Sequence, residues 1–196
     1  MNVKNIWILP FLGSLISIIG LFTPTAFSYF LNQYHELTQY FWMWGLIYGR
    51  YYFFENFNTK RLGTIPIFYP EIFVPGLIAT ILILSSAVSC IKTALRFRKG
   101  QCYFSKVKKS WLITGILYII SVIIYAVGMQ IGFPVFQQRF GGSQLSFWLN
   151  FAPSFGIIAP FISGLLVIVG VILGTAIMGK EDTLYRNKIP DFVSKS

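Results

Sequence analysis

The sequence has few of the residues that carry out most enzyme chemistry. Its 196 residues include only six Asp and Glu, one His and two Cys. The carboxylates are scattered, without a paired acid and base spacing, and no phosphate-binding glycine loop or nucleophile motif occurs. One His and two Cys are too few for a structural metal site, which needs four such ligands. We therefore predict that the protein is not an enzyme and that it has no metal or other cofactor.

Charge is also scarce where a transporter would need it. Asp, Glu, His and Arg are missing from four long apolar segments, which cover residues 6–26, 72–94, 111–131 and 154–178. Pumps and ion-coupled transporters place ionisable groups at membrane depth, so their absence argues against both classes. Each segment has the roughly 20 residues that a helix needs to cross a bilayer. With 55% hydrophobic and 11% charged residues, the composition indicates a protein that spans the membrane four times.

The net charge of +10 is concentrated in one connection between apolar segments. Lysine and arginine cluster in cytoplasmic loops of membrane proteins, and contact there with anionic lipid headgroups explains the charge without a nucleic-acid partner. We therefore predict a multi-pass protein of the cell membrane with a cytoplasmic loop at 95–110 and both termini in the cytoplasm. The cluster contains Lys92, Arg96, Arg98, Lys99, Lys106, Lys108 and Lys109.

This topology makes residues 1–196 a single membrane domain with outer loops at 27–71 and 132–153 and a cytoplasmic tail at 179–196. Cys90 and Cys102 then face the reducing compartment, where a structural disulfide is not expected. Either thiol remains unmodified or accepts a palmitoyl group, and the sequence leaves both possibilities open.

The segment from Tyr40 to Phe54, YFWMWGLIYGRYYFF, is the most unusual part of the chain. It belongs to a 44-residue stretch, 27–70, in which sixteen residues are aromatic, too apolar for a solvated loop. Large side chains alternate from Tyr40 to Tyr48, which favours a β-strand, although helical spacing is present as well. Periodicity alone leaves the choice open. We expect a small outer sheet that rests on the helices.

Several residues in the apolar segments are assigned packing or anchoring roles. The small residues of the fourth segment predict close helix contacts within the protein's own bundle. Ser85 and Ser89 fall on one helix face and predict a small-residue packing seam, with a polar binding track as the alternative. Trp111, next to a pair of lysines, predicts an anchor at the cytoplasmic membrane surface. The predicted packing glycines are Gly164, Gly170 and Gly174.

The topology and the Trp44–Gly45–Leu46 core of the first outer loop resemble the superfamily of claudins and peripheral myelin proteins. That family has four spans, both termini inside, a long first and a shorter second outer loop, and a Gly-Leu-Trp signature at a similar place. The resemblance covers the whole chain as topology and these few residues as a motif. The paired cysteines of the family's first loop have no counterpart here.

The resemblance implies an all-α transmembrane four-helix bundle with a small extracellular β-sheet formed mainly by the first outer loop. It also implies a non-enzymatic function in adhesion, barrier formation or membrane organisation, through lateral self-association and outer-loop contacts. The alternative is an accessory subunit of a larger membrane enzyme, channel or transporter complex, bound to another membrane protein. A lipid or small-molecule binder would need a pocket that sequence cannot reveal. The expected partner-binding residues are Tyr40, Trp42, Trp44, Tyr48 and Arg50, with Phe136, Arg139 and Phe140 as secondary contacts.

Overall fold

Long helices and one small sheet form the described part of the chain. The computed structural model describes residues 5–31, 35–53, 70–139 and 146–186. Its elements, in chain order, are α1 (Ile8–Leu21), β1 (Ala26–Leu31), β2 (His35–Phe41), β3 (Ile47–Phe53), α2 (Pro70–Arg98), α3 (Phe104–Arg139), α4 (Phe147–Asn150), β4 (Ala152–Pro153) and α5 (Phe155–Arg186).

Three helices are long and apolar enough to cross a membrane, namely Pro70–Arg98, Phe104–Gln138 and Phe155–Met178. Much of their surface is exposed Val, Leu, Ile and Phe, which suits a lipid environment better than water. The chain is therefore a helical membrane protein. The fourth apolar helix, α1, has 14 residues. At 1.5 Å per residue it is about 21 Å long, shorter than the roughly 30 Å hydrocarbon core.

The four longer helices pack in a closed ring, in which α1 and α3 each contact both α2 and α5. Glycines allow the backbones to approach closely. A Cβ atom at Gly164 would lie 2.8 Å from the Gly115 carbonyl oxygen of α3, and one at Gly170 would lie 3.0 Å from Cδ of Pro10 on α1. Gly174 lies against the ring of Phe104 in the same way. All three predicted packing glycines thus lie at contacts between helices of the same chain.

The helix ends differ from the predicted span ends. The first helix stops at Leu21, and Ala26 already belongs to β1, whereas the predicted first span continued to residue 26. Pro24 explains the early end, since the residue before a proline is disfavoured in helical conformation. By contrast, α3 is longer than predicted: it continues to Arg139 and includes residues 132–139, which we predicted as part of an outer loop. Phe133 is buried on this extension, so the core-facing side of the helix continues past the predicted end.

The prediction for Trp111 was wrong, because this side chain is fully buried instead of anchoring the membrane surface. Its indole Nε1 donates a hydrogen bond of 3.0 Å to Oγ1 of Thr93 on α2. The ring also makes edge contacts with Phe97 and Phe104, with centroids 5.6 and 6.2 Å away. An available acceptor at this depth lets the tryptophan serve as a core residue between the helices.

The predicted small sheet is confirmed as a four-stranded antiparallel sheet in the order β3-β2-β1-β4. Strands β1, β2 and β3 come from the segment between α1 and α2. The two-residue β4, which directly precedes α5, pairs with Ala26 and Phe27 of β1. Both segments that we predicted as outer loops therefore contribute to one sheet at the same end of the helices.

Candidate functional site

The aromatic segment folds as a β-hairpin with a tight turn at its centre. The Trp42 N–H donates to the Leu46 carbonyl (2.8 Å), and the Gly45 N–H donates to the Trp42 carbonyl (3.0 Å). Gly45 has φ of +94°, a backbone conformation that favours glycine. These features define a three-residue hairpin loop with glycine in its last position. Residues 40–48 are therefore two strand ends and a turn, and the two tryptophans lie outside the strands.

Both turn tryptophans bind the carboxyl end of α1. Nε1 of Trp44 donates to the Leu21 carbonyl at 2.9 Å, and Nε1 of Trp42 donates to the Phe22 carbonyl at 3.2 Å. The last carbonyls of a helix have no partner within the helix and must find one elsewhere. The indole groups meet this need, so they fasten the sheet to the bundle. Trp44 still exposes 41% of its surface.

The turn also docks on the first turns of α2. Met43 is fully buried, and its carbonyl oxygen lies so close to Gly76 that a Cβ there would collide with it. A Cβ on Gly45 would lie 2.6 Å from the ring of Phe73. Glycine is therefore required on both sides of this contact, and the hairpin is held between α1 and α2.

The inner face of the sheet rests on a cluster of buried aromatic rings. Phe41 of β2 makes edge-to-face contacts with Phe133 of α3, Phe147 of α4 and Phe151, at centroid distances of 6.1, 5.2 and 4.7 Å. All four rings are at most 5% exposed. Such pairs contribute about 0.5–1.5 kcal/mol each beyond the burial of their surface. The cluster fixes the distance between the sheet and the end of α3.

A buried hydrogen-bond network connects the sheet to the middle of the bundle. The Thr25 N–H donates to the Phe41 carbonyl, 2.6 Å away, and its hydroxyl donates to the same oxygen at 2.9 Å. The hydroxyls of Thr25 and Tyr125 are 2.6 Å apart. Both side chains are at most 1% exposed. The network, the aromatic cluster and the two indoles together make the sheet a rigid platform.

The outer face of this platform is aromatic and open. Tyr40 and Tyr48 face each other across β2 and β3 with ring centroids 6.3 Å apart. Phe27 and Tyr29 of β1 continue the face and are 38% and 57% exposed. Together with Glu36 and Thr38, these four rings line a shallow groove of about 430 Å³. We call Phe27, Tyr29, Tyr40 and Tyr48 the outer aromatic face.

The predicted partner-binding residues do not all belong to this face. Arg50 lies in β3 opposite Thr38 in the sheet register, and Arg139 is the last residue of α3, but their side chains lie outside the described part of the structure. Phe140 falls outside the described residues. Phe136 packs beside Phe133 beneath the sheet, with centroids 6.1 Å apart.

Phe27 and Tyr29 were not among the predicted contact residues. Their signal is the spacing of Phe27, Tyr29 and Leu31, which are two positions apart as on one face of a strand. We had assigned the start of this segment to the end of the first span and had concentrated on the aromatic run that follows. The exposed rings of β1 thus complete the face begun by Tyr40 and Tyr48.

A second cavity lies between the inner face of the sheet and the end of α3. Its volume is about 560 Å³, within the range of small-molecule sites. Phenylalanine side chains and three amides line it, and the amides are those of Gln39, Gln137 and Asn150. Neutral amides can orient a ligand by hydrogen bonding, and Ser28 and Tyr29 add hydroxyl groups to the same lining.

The described residues contain no group of three or more metal-binding side chains. Glu36 is the one carboxylate among the residues that line the outer groove. The site is therefore suited to binding through rings and hydroxyl groups. No protein-family profile and no curated protein sequence matches the chain, so its function is inferred from its own residues and geometry.

Proposed function

We propose that the protein is a non-enzymatic, claudin-like membrane protein that organises or joins membranes through its sheet. The observation that carries this proposal is the outer aromatic face, held on a platform that is fastened to three helices. Tyrosine and phenylalanine rings are enriched in protein interfaces because they offer large contact areas at low conformational entropy. A preformed surface of this kind loses little further freedom on binding.

The proposed topology places α1 as a fourth span and the sheet outside the cell. The basic residues around the junction of α2 and α3 lie at the opposite end of these helices from the sheet. With this end in the cytoplasm, both termini are cytoplasmic and the positive-inside rule is satisfied. At the same end, the guanidinium of Arg98 lies 4.8 Å from the ring centre of Trp7, just before α1. This contact joins the start of α1 to the end of α2.

Lateral association is supported by the edge of β1. Strand β4 pairs only with Ala26 and Phe27, and no other described strand lies on that side of residues 28–31. Phe30 and Leu31 are each more than half exposed along this edge. A strand with exposed apolar side chains and an open edge can pair with a strand from another chain. We propose this edge for contacts within one membrane and the outer aromatic face for contacts between membranes.

The experiment that tests the proposal is the clustering of proteoliposomes. Two populations with different dyes carry the native chain, or a variant with Tyr29→Ser and Tyr48→Ser in the outer aromatic face. We expect native vesicles to cluster only when both populations contain the protein, and the variant to lose this activity. Tyr29 is 57% exposed and Tyr48 projects from the same face, so both changes should leave the fold intact.

The matched control is Tyr103→Ser, which removes a 78% exposed tyrosine at the opposite end of the helices. This variant should cluster like the native chain. If correctly oriented native protein does not cluster vesicles, or if both variants lose clustering equally, homotypic adhesion through the sheet is wrong.

The second candidate is an accessory subunit, and a groove in the membrane region favours it. Between the outer halves of α2 and α3 lies an almost wholly apolar groove of about 720 Å³, lined among others by Val74, Ile78, Ile123 and Val127. A transmembrane helix of a partner could pack there, since shape complementarity drives helix association in lipid. Recovery of a stoichiometric unrelated membrane protein after mild detergent extraction would favour this function. Recovery of self-oligomers alone would count against it.

A further inference from the structure

A polar groove runs between α2 and α3 in the half of the helices that carries the basic residues. Its volume is about 440 Å³, and its polar lining includes Ser85, Ser86, Ser89, Ser110, Lys106 and Lys109. Ser85 and Ser89 are exposed although they lie within an apolar transmembrane helix. Their exposure contradicts close packing at these two positions, whereas the Ser85 hydroxyl donates to the Leu82 carbonyl of its own helix at 3.2 Å, as a serine in a membrane helix often does.

Ser86 is the residue that marks this groove as a binding site. Its side chain is only 4% exposed, and its hydroxyl oxygen has no hydrogen-bond partner among the described residues. A buried hydroxyl without a partner is unfavourable, and this one belongs to the wall of the groove. A ligand with an acceptor atom at this depth would satisfy it.

The two lysines provide the charge at the mouth of the groove. Lys106 and Lys109 are exposed and lie in the first two turns of α3. On α2, Lys92 marks the basic end of the helix. Ser85 lies seven residues before it, so this serine is about 10 Å deeper along the helix. Moving inward from the membrane surface, the groove therefore offers two ammonium groups and then a row of hydroxyls. No carboxylate occurs among its lining residues.

We propose that this groove binds an anionic glycerophospholipid from the leaflet on the basic side of the membrane. The phosphate accepts hydrogen bonds from the ammonium groups of Lys106 and Lys109. The ester carbonyls, which lie below the phosphate, accept hydrogen bonds from the hydroxyls of Ser86 and Ser89. Ile113 and Leu117 line the same groove and suit the start of the acyl chains. This order of groups matches a membrane lipid better than it matches a soluble anion.

Native mass spectrometry of the full chain in detergent tests this site. The delipidated protein is titrated with phosphatidylglycerol, phosphatidylcholine or inorganic phosphate. We expect one phosphatidylglycerol to bind more tightly than phosphatidylcholine. Lys106→Gln together with Lys109→Gln should weaken binding of phosphatidylglycerol roughly 10- to 30-fold, because each cation near an anionic lipid contributes a several-fold factor. Ser86→Ala should weaken it about three- to tenfold through loss of one hydrogen bond.

The control pair is Lys99→Gln with Lys108→Gln, which removes the same charge from residues that do not line the groove. The proposal is overturned if this pair weakens binding as much as the groove pair, because the attraction would then be diffuse. It is also overturned if phosphatidylcholine binds equally well, if inorganic phosphate displaces the lipid, or if Ser86→Ala leaves the affinity unchanged. Melting temperature without lipid should not fall in Ser86→Ala, since the hydroxyl it removes has no partner in the protein.

Discussion

Replacing Trp44 with Phe tests how the sheet is attached to the helices. The four carbonyls at the end of α1 all have partners. Backbone N–H groups bind the carbonyls of Ile19 and Gly20, at 3.1 Å each. The Trp44 indole donates to the Leu21 carbonyl at 2.9 Å, and the Trp42 indole donates to the carbonyl of Phe22, the residue that caps the helix, at 3.2 Å. Trp44→Phe removes one of these donors and retains a large aromatic ring.

The loss leaves the Leu21 carbonyl without its partner in a partly buried position, which costs about 1–2 kcal/mol. The free energy of local opening of the hairpin falls by the same amount. Hydrogen exchange of the β3 amides should therefore speed up about 5- to 30-fold. Trp42→Phe should have a smaller effect because its hydrogen bond is longer. Exchange is measured by mass spectrometry on the detergent-solubilised full chain.

The matched control is Tyr48→Phe, which removes one hydroxyl group from the outer face of the same hairpin. It should leave exchange of the β3 amides close to that of the native chain. Unchanged exchange in Trp44→Phe, or equal acceleration in both variants, would refute the role of the indole in attaching the sheet.

Three further substitutions and one control test the platform and the contact between α3 and α5 through melting of the purified protein in detergent. Thr25→Val should lower stability by about 2 kcal/mol, because it removes the partner of the buried Tyr125 hydroxyl; a loss under about 0.5 kcal/mol would contradict the network. Gly45→Ala should cost about 2–3 kcal/mol through its positive φ and the ring beside it, whereas Gly49→Ala in β3 has open space and should be neutral or slightly stabilising. Gly164→Ala should cost about 1–3 kcal/mol by forcing α3 and α5 apart, and an unchanged melting temperature would show that the helices are not in close contact there.

The long helices and the presence of a sheet could be predicted because their signals are local. Uninterrupted apolar stretches indicate membrane helices by length alone. The dense aromatic residues between the first two apolar segments indicate strands that pack against another surface. The glycines of α5 indicate close approach of helices by their size. None of these inferences requires knowledge of distant contacts.

The turn at Gly45 shows why the details of the site were missed. The large side chains at even positions from Tyr40 to Tyr48 favour a strand without marking a break in it, but the segment contains the three-residue loop Met43, Trp44 and Gly45. Glycine in the last loop position is a known hairpin signal, and the repeated aromatic residues obscured it. The roles of the two tryptophans depend on the end of α1, about twenty residues away in sequence. Only the folded structure brings these groups together.

The burial of Trp111 and the length of α3 have a similar explanation. A tryptophan beside lysines has the same local sequence whether it faces headgroups or the core. The burial of Trp111 depends on Thr93 of α2, whose hydroxyl oxygen accepts a hydrogen bond from the indole N–H. The extension of α3 to Arg139 likewise depends on the aromatic cluster that it forms with the sheet.

The most direct test of the central claim is disulfide cross-linking between opposed membranes. Tyr29→Cys is introduced into a chain with Cys102→Ser, leaving Cys90 buried. Two proteoliposome populations carry the same variant with tags of different size, and they are mixed under mild oxidation. The proposal predicts a disulfide-linked dimer that contains both tags, and none when Tyr103→Cys replaces Tyr29→Cys. Dimers with one tag are expected from pairing of β1 edges within a membrane. The absence of dimers with both tags, or equal amounts of them from both positions, would contradict contact between membranes through the outer aromatic face.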